Sequence, residues 1–377
     1  MLDLRIPNYQ IHHGNNLDIL KNIPSDSIDS IVTDPPYEIA FMGKGWDNTG
    51  QAYNQELWSE CLRVLKPGGH LIAFGATRTI HRTTSAIEDA GFEIRDMISW
   101  LYFSGFPKSH DISKAIDKHF GAKRKVIGQK KGVSADPSTG RNDMPGKSVG
   151  VKQITIDVPI TSPTTEKAKL FEGWGTALKP AQEPAILARK PLSESSIARQ
   201  VLKTKTGGLN IDGCRFGYGD ECWVGPQNDH SSEWNRVQSK KSNISFVAQK
   251  SIDLNSYCPN LGRWPANIYQ CPKPSRAERD EGLEHLEGDI KNFHPTVKPL
   301  KLMRWLCRLV TPEGGTVLDP FTGSGSTLAG AMLEGFNCIG CELTEDYIPI
   351  IEGRCQWAIE EYKRDNAQLS FLDWLEA

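Results

Sequence analysis

Two short polar segments at opposite ends of the chain constrain its fold more than any other feature. Asp34-Pro35-Pro36-Tyr37 follows the apolar run 28–33, and Asp319-Pro320-Phe321-Thr322-Gly323-Ser324-Gly325-Ser326 follows the run 316–318. Each run reads as a strand, so each polar segment falls just past a carboxyl strand end, where open α/β sheets assemble their sites. The first segment offers a carboxylate, a proline-stiffened carbonyl and an aromatic face. The second is a glycine turn that lets backbone approach a ligand closely.

The rhythm around each segment agrees. In the first hundred residues, strand patterns at 28–33, 70–74 and 92–102 alternate with helix patterns at 55–65 and 79–89. Pro67-Gly68-Gly69 and Gly91 stop the two helices. This βαβα order implies a parallel, doubly wound sheet. It breaks off near Ser104: 121–163 is Lys-, Gly- and Ser/Thr-rich and 226–260 is polar with no apolar period, and such long stretches read as loops or disorder. A helix is expected over 192–202 between them. Alternation resumes with a helix at 300–310, a strand at 316–318, a helix at 326–333, a strand at 336–341 and a helix at 347–362. The chain therefore encodes one α/β sheet in two pieces around a long insertion.

Charge distribution bears on the partner. Net charge is −2, yet residues 104–205 carry 19 Lys+Arg against 9 Asp+Glu, leaving −12 elsewhere. Such a stretch suits phosphate neutralisation, and Lys123, Arg124, Lys130 and Lys131 are its candidate DNA contacts. No apolar run approaches the roughly 20 residues of a membrane helix. Residues 1–5 lack a signal-peptide layout. Nine cysteines, an odd count, fit reduced thiols in a cytoplasm. No metal is expected, because Cys214, Cys222, Cys258 and Cys271 form no Cys-x2-4-Cys knuckle.

The chemistry at residues 34–37 follows from the residue types. An exocyclic amine is a poor nucleophile because its lone pair is conjugated into the ring. Two acceptors that take its hydrogens draw the nitrogen toward tetrahedral geometry. Asp34 supplies one acceptor, and the Pro35 carbonyl, held by Pro35 and Pro36, supplies the other. Tyr37 gives a π face for a base that has left the duplex stack. At the other end, Leu328 stands where a dinucleotide fingerprint needs its third glycine, and no Walker A pattern occurs, which weakens NAD and ATP. Glu342, 23 residues after Asp319, is an acid placed to take both ribose hydroxyls of a nucleoside cofactor.

Together these segments resemble the catalytic and cofactor motifs of the DNA amino-methyltransferases that use S-adenosylmethionine. Catalytic motif first, insertion second and cofactor motif last is the permuted order of their β class. Gly14-Asn15-Asn16-Leu17-Asp18 resembles the family's Gly-Asp-x-Leu-Glu lead-in, whose acid contacts the cofactor adenine; here Asn15 holds that position. His294-Pro295-Thr296-Val297-Lys298-Pro299 resembles the segment lying against the methionine part of the cofactor, with Lys298 toward its carboxylate. Segments such as Phe41-Met42-Gly43-Lys44-Gly45-Trp46-Asp47 and Leu178-Lys179-Pro180-Ala181 look like those of solitary phage and prophage enzymes.

The resemblance implies a Rossmann-like, mostly parallel seven-stranded methyltransferase sheet with one antiparallel strand, in circularly permuted order. Residues 1–103 would form its catalytic half, 104–290 an insertion for target recognition and DNA binding, and 291–377 the cofactor half. Implied catalytic residues are Asp34, Pro35, Pro36 and Tyr37. Implied cofactor residues are Asn15, Asp34, Thr296, Lys298, Asp319, Phe321, Gly323, Ser324, Gly325, Ser326 and Glu342. The implied reaction is methylation of adenine N6 or cytosine N4 in double-stranded DNA, in the cytoplasm of a bacterial or phage-infected cell. A homodimer is common among relatives, and no restriction endonuclease partner is specified. Asp-Pro-Pro-Tyr is more usual in adenine enzymes and Ser-Pro-Pro-Tyr in cytosine N4 enzymes, which favours adenine, while Phe41 and Trp46 are expected to set pocket depth. Cytosine C5 chemistry would need a Pro-Cys nucleophile, and none occurs. A non-catalytic DNA binder would have lost Asp34 or the glycine turn, and both are present.

Overall fold

The computed structural model of the chain describes residues 5–39, 47–105, 109–135, 153–217, 220–222, 263–284, 286 and 291–376. Phe41 and Trp46 lie outside the described residues. The chain divides into two compact units, one of residues 1–102, 182–286 and 294–377 and one of 103–181 and 287–293. In chain order the strands are β1 (Tyr9–His13), β2 (Ile28–Thr33), β3 (Leu65–Phe74), β4 (Glu93–Leu101), β5 (Lys125–Ala135), β6 (Gln153–Ser162), β7 (Gln182–Arg189), β8 (Ile268–Gln270), β9 (Thr316–Asp319) and β10 (Asn337–Glu342). The helices are α1 (Asn16–Leu20), α2 (Gln55–Val64), α3 (Ile80–Asp89), α4 (Ile112–His119), α5 (Glu166–Leu170), α6 (Ile197–Thr204), α7 (Arg276–Asp280), α8 (Leu300–Val310), α9 (Ser326–Leu333) and α10 (Ile348–Glu376).

In the first unit the sheet order is β1-β10-β9-β2-β3-β7-β4-β8, and β7 alone runs against its neighbours. Parallel pairing of β10 with β9 and of β9 with β2 brings the two ends of the chain together as adjacent strands at the sheet's centre. Helices cover both faces. Leu302, Met303 and Leu306 of α8 and Leu328 and Met332 of α9 pack with Val32, Ile72 and Val317 on one side. Leu57, Trp58 and Cys61 of α2 and Ile87 of α3 pack with Ile31, Leu71 and Leu318 on the other. Adjacent residues Ile31 and Val32 thus serve opposite faces, as the two-residue period of a strand requires. Every residue of β2 is buried, and each such branched side chain is worth about 1.5–3 kcal/mol of apolar burial.

Several expectations are corrected. The sheet has eight strands rather than seven, the addition being three-residue β8 beside β4. Both β7 and β8 come from the stretch assigned by sequence to the insertion. Leu101 of β4 pairs directly with Gln182 of β7, so the chain leaves and re-enters the sheet between adjacent antiparallel strands. Pro67-Gly68-Gly69 does not end a helix before a strand; it lies inside β3, where the pairing with β2 jumps from Leu65 to His70. Proline is tolerated there because a bulge needs no regular donor. Helix α6 begins at Ile197, five residues later than expected, because the Ser196 side chain caps it by accepting from the Arg199 N–H.

The second unit contains the antiparallel β5–β6 ribbon in place of the irregular loop expected over 121–163. Its organising residue is Asp117 of α4. The carboxylate accepts from the N–H groups of Thr164 and Thr165, from the Thr165 hydroxyl at 2.8 Å and from Arg124 at 2.7 Å. Packing around Asp117 would raise its pKa, but the Thr165 and Thr164 hydrogen bonds and Arg124 bring it to about 2. Among the described residues, no helix is long and apolar enough to cross a membrane.

Asp117→Ala should loosen this unit, because it strips four donors of one acceptor. Limited proteolysis should cut the ribbon faster in the variant while far-ultraviolet circular dichroism keeps most of its helical signal. Unchanged proteolysis would remove Asp117 from its organising role.

Candidate active site

Asp34 leaves the end of β2 half-buried, and its neighbours come from distant parts of the first unit. One carboxylate oxygen, Oδ2, accepts a hydrogen bond from the Lys298 ammonium. The other, Oδ1, is buried and has no hydrogen-bond partner among the described residues. Burial raises the Asp34 pKa; Lys298 opposes this rise, and Glu183 adds to it. Lys298 is itself 4 % exposed, with its ammonium 3.5 Å from Glu183 Oε2. It also lies 5.3 Å from the ring centre of Tyr37 and 5.0 Å from that of Phe74. Although burial disfavours its charge, Asp34 and then Glu183 raise its pKa, so the ammonium stays charged.

The Tyr37 ring is fixed at both ends. Its hydroxyl donates to Glu183 Oε2 at 2.9 Å. Its backbone N–H donates to Asp47 at 2.7 Å, and its carbonyl accepts from the Thr79 hydroxyl at 2.8 Å. Asp47, 1 % exposed, also accepts from the N–H groups of Glu38 and Ile39. It thereby closes a turn in which Glu38 has φ of +56°. A non-glycine residue in that region is strained and persists only when its surroundings hold it. Pro35 is buried and Pro36 half-buried between these anchors.

The glycine turn after β9 is joined to Asp34 through the neighbouring strand. Asp319, 1 % exposed, accepts from the Thr33 hydroxyl at 2.6 Å and from the Phe321 N–H at 3.0 Å. Burial drives its pKa up to about 6 despite those bonds. Gly323 and Gly325 have φ of +57° and +77°, conformations open to glycine at little cost. A β-carbon on Gly323 would stand 3.0 Å from the His294 ring, and one on Gly325 would stand 3.3 Å from Ile351. Glu342, at the end of β10, accepts from the N–H groups of Gly323 and Thr344, both at 2.8 Å, one on each oxygen. Each oxygen keeps a further lone pair. Behind the turn, fully buried Arg354 donates from one nitrogen to the Ser324 carbonyl and to the Ser324 and Ser326 hydroxyls. Burial lowers its pKa to about 10.

Asn15 caps α1, its side-chain oxygen accepting from the Leu17 N–H at 2.9 Å. The next residue, Asn16, reaches the cofactor-type turn, donating to the Pro320 carbonyl at 3.1 Å. Thr296 is half-buried two residues from Lys298, and Phe321 is half-buried against the apolar cluster on the α2–α3 face of the sheet. Lys298 faces Asp34 and Glu183, where the sequence pointed it at a ligand carboxylate.

In the second unit Lys123 and Lys130 are exposed, and Lys131, also exposed, pairs with Asp157 at 2.8 Å. The Arg124 guanidinium donates inside the unit to Asp117, Ser113 and Thr161. Among the described residues there is no group of three His, Cys, Asp or Glu that could hold a metal ion.

Four residues escaped sequence reasoning. Glu183 sits on a strand that was itself missed, although its Pro184-Ala185-Ile186-Leu187-Ala188 run carried a strand signal. Asp47 and Lys273 precede or follow no apolar period. His294 was noticed only for its neighbours, yet its ring meets Tyr347 edge-on at 4.7 Å. Burial, followed by Lys298 and Arg279, pushes its pKa down to about 3, which keeps it neutral.

Comparison with known proteins follows the same lines. A family described as DNA methylase matches residues 28–353. The type II methyltransferase M.HindIII of Haemophilus influenzae is 24% identical over 373 residues, covering 88% of this chain and 90% of its own. The DNA adenine methyltransferase YhdJ of Escherichia coli K12 is 32% identical over 346 residues, covering 90% and 79%. Among solved structures, the cytosine-N4-specific PvuII DNA methyltransferase superposes with a TM-score of 0.47 at 15% identity, covering 95% of this chain and 93% of that one.

The turn generates a direct expectation. Gly323→Ala must force a side chain into positive φ against His294, so affinity for S-adenosylmethionine should fall on the order of tenfold or more. Calorimetric titration checks this, and unchanged affinity would take the turn out of the cofactor site.

Proposed function

This chain belongs to the DNA methylase family that matches residues 28–353, and from that premise we propose that it methylates adenine N6 in double-stranded DNA. The observation that carries the reading is the divided carboxylate of Asp34. Oδ2 is held by Lys298, while Oδ1 is buried and makes no hydrogen bond to the described residues, with the Tyr37 phenol facing the same carboxylate. A buried acceptor left unmatched costs about 1–3 kcal/mol, and an incoming N–H donor removes that cost.

The donor that fits is the exocyclic amine of a base flipped out of the duplex. Asp34 Oδ1 accepts one amine hydrogen, and the Pro35 carbonyl accepts the other. The nitrogen lone pair is then released from the ring and becomes nucleophilic, and Tyr37 stacks on the base. The ionised carboxylate also offsets the positive charge that grows on the nitrogen.

The second strand end fits a nucleoside-carrying methyl donor. Gly323 and Gly325 take positive φ where His294 and Ile351 leave no room for a β-carbon, which keeps the turn's backbone bare, and Glu342 keeps lone pairs for ribose hydroxyls. We assign S-adenosylmethionine to this turn, with Asp319, Phe321, Ser324 and Ser326 around it and Asn15, Thr296 and Lys298 at its margins. That cofactor supplies an electrophilic methyl group.

Adenine is favoured over cytosine by the Asp-Pro-Pro-Tyr form of the motif. YhdJ, named as an adenine methyltransferase, aligns with 90% of the chain, which supports the same choice. Nucleoside mass spectrometry of treated DNA should find N6-methyladenine; N4-methylcytosine alone would overturn the base assignment.

Asp34→Ala should lower methyl transfer by about 100-fold or more, and by more than it lowers S-adenosylmethionine affinity, because most of the cofactor-turn residues stay in place. The sign of the pH dependence follows from burial. Asp34 must be ionised to accept, and its pKa lies above the ordinary value of 3.8. Turnover should therefore fall as pH drops through that raised value, earlier than an exposed carboxylate would allow. Near-normal turnover in the variant would remove Asp34 from the chemistry.

For DNA affinity at large, Lys123, Lys130 and Lys131 are assigned to phosphates. Changing all three to Ala should reduce the salt dependence of binding, by about one unit of slope for each lysine replaced. An unchanged slope would make this an ordinary solvated surface.

A further inference from the structure

Glu183 is given no task by the reading above, yet it contacts both Tyr37 and Lys298. It stands on β7, opposite Trp100 of β4, with its side chain 14% exposed. Its Oε2 accepts the Tyr37 hydroxyl at 2.9 Å and lies 3.5 Å from the Lys298 ammonium. Its Oε1 accepts from Lys273 at 3.0 Å. The Lys273 ammonium in turn rests 4.3 Å from the ring centre of Tyr102 and 5.6 Å from that of Trp100. A carboxylate so enclosed is costly unless its partners are fixed. Here two ammonium groups and a phenol fix it.

The consequence is geometric. Lys298 stands between two carboxylates, Asp34 and Glu183, and cannot move toward one without leaving the other. The Tyr37 ring is pinned at its hydroxyl by the same Glu183 whose charge steadies that lysine. Resting on the reading of Asp34 as the catalytic carboxylate, we propose that Glu183 is a positioning residue for methyl transfer. It anchors the aromatic face and, by drawing on Lys298 from the other side, keeps that ammonium from swinging across to Oδ1, so that Oδ1 and the Tyr37 ring keep one fixed relation to the target base.

The arrangement has a charge signature that a merely structural glutamate would lack. Asp34 is faced by Lys298, by Glu183 from β7, by the Tyr37 phenol and by Asp319 from the end of β9, while Lys273 faces Glu183. Burial is the largest influence on Glu183 and works against its ionisation, but Lys298 and then Lys273 outweigh it and hold its pKa below the usual range. Glu183 is therefore a standing negative charge that makes Asp34 easier to protonate. Replacing it with neutral Gln leaves Lys298 acting on Asp34 alone, so Asp34 should protonate at lower pH.

The test is tritium transfer from S-adenosylmethionine to unmodified genomic duplex DNA across a pH series. The unaltered protein is compared with Glu183→Gln, Tyr37→Phe and the double variant. Glu183→Gln should lower kcat on the order of tenfold, with KM for S-adenosylmethionine within about threefold. Its acid limb should move to lower pH by about half a unit or more. The double variant should lose little more than the worse single one, because both weaken the same Tyr37–Glu183 contact, Phe by removing its donor and Gln by removing the charge that strengthens it. An unshifted acid limb, or losses that simply multiply, would overturn the proposal. If Glu183→Gln does not melt cooperatively, Tyr37→Phe carries the test: a comparable fall in kcat supports the link, and unchanged kcat overturns it. No transfer by the unaltered protein would instead overturn the methyltransferase reading, and the proposal with it.

Discussion

One ammonium group governs the site. Lys298, almost fully buried, is shared by Asp34 and Glu183, and its position decides which oxygen of Asp34 is satisfied and which is left to accept. Burying three charges is expensive unless each is paired in good geometry. That requirement ties the proline motif, the segment before α8 and the antiparallel strand β7 into one arrangement. The same enclosure that makes the charges costly makes each interaction stronger than it would be in water.

The sheet makes this pairing feasible. Parallel β2 and β9 end side by side, so Asp34 and Asp319 emerge at the same edge although nearly the whole chain lies between them. The Thr33 hydroxyl, bonded to Asp319 at 2.6 Å, couples the residue before the proline motif to the residue that opens the glycine turn. β10 adds Glu342 from one side and β7 adds Glu183 from the other, beyond β3. The proline motif and the glycine turn therefore stand side by side at one end of the sheet. Local strain, such as positive φ at Glu38, is confined to the turn that Asp47 ties down.

Much of this was legible in the sequence, for identifiable reasons. β2 and β9 announced themselves as apolar runs followed by Asp-Pro, and the helices α2 and α8 by their period. Gly323 and Gly325 could be read as turn residues, and both have positive φ. What stayed hidden was non-local. β7 looked like part of a basic insertion because Arg189 and Lys190 end its apolar run, and Arg189 is in fact buried against Glu93 at 2.5 Å. β6 does alternate, with Ile154, Ile156, Val158 and Ile160 at every second position, but the Lys-, Gly- and Ser/Thr-rich stretch around it read as loop. Arg124 counted as one more basic charge, yet Asp117, seven residues earlier, takes it out of solvent. Nothing in residue order could indicate that Lys298 turns to Asp34, a partner 264 residues away.

The central claim is that Asp34 Oδ1 receives the target amine while Lys298 keeps Oδ2. The most direct measurement is a crystal structure of the protein with a non-transferable S-adenosylmethionine analogue and duplex DNA carrying its methylation site. The account predicts a flipped adenine stacked on Tyr37, its exocyclic nitrogen within hydrogen-bond distance of Asp34 Oδ1 and Lys298 still on Oδ2. An exocyclic nitrogen bonded elsewhere, with Lys298 bridging both oxygens of Asp34, would contradict it.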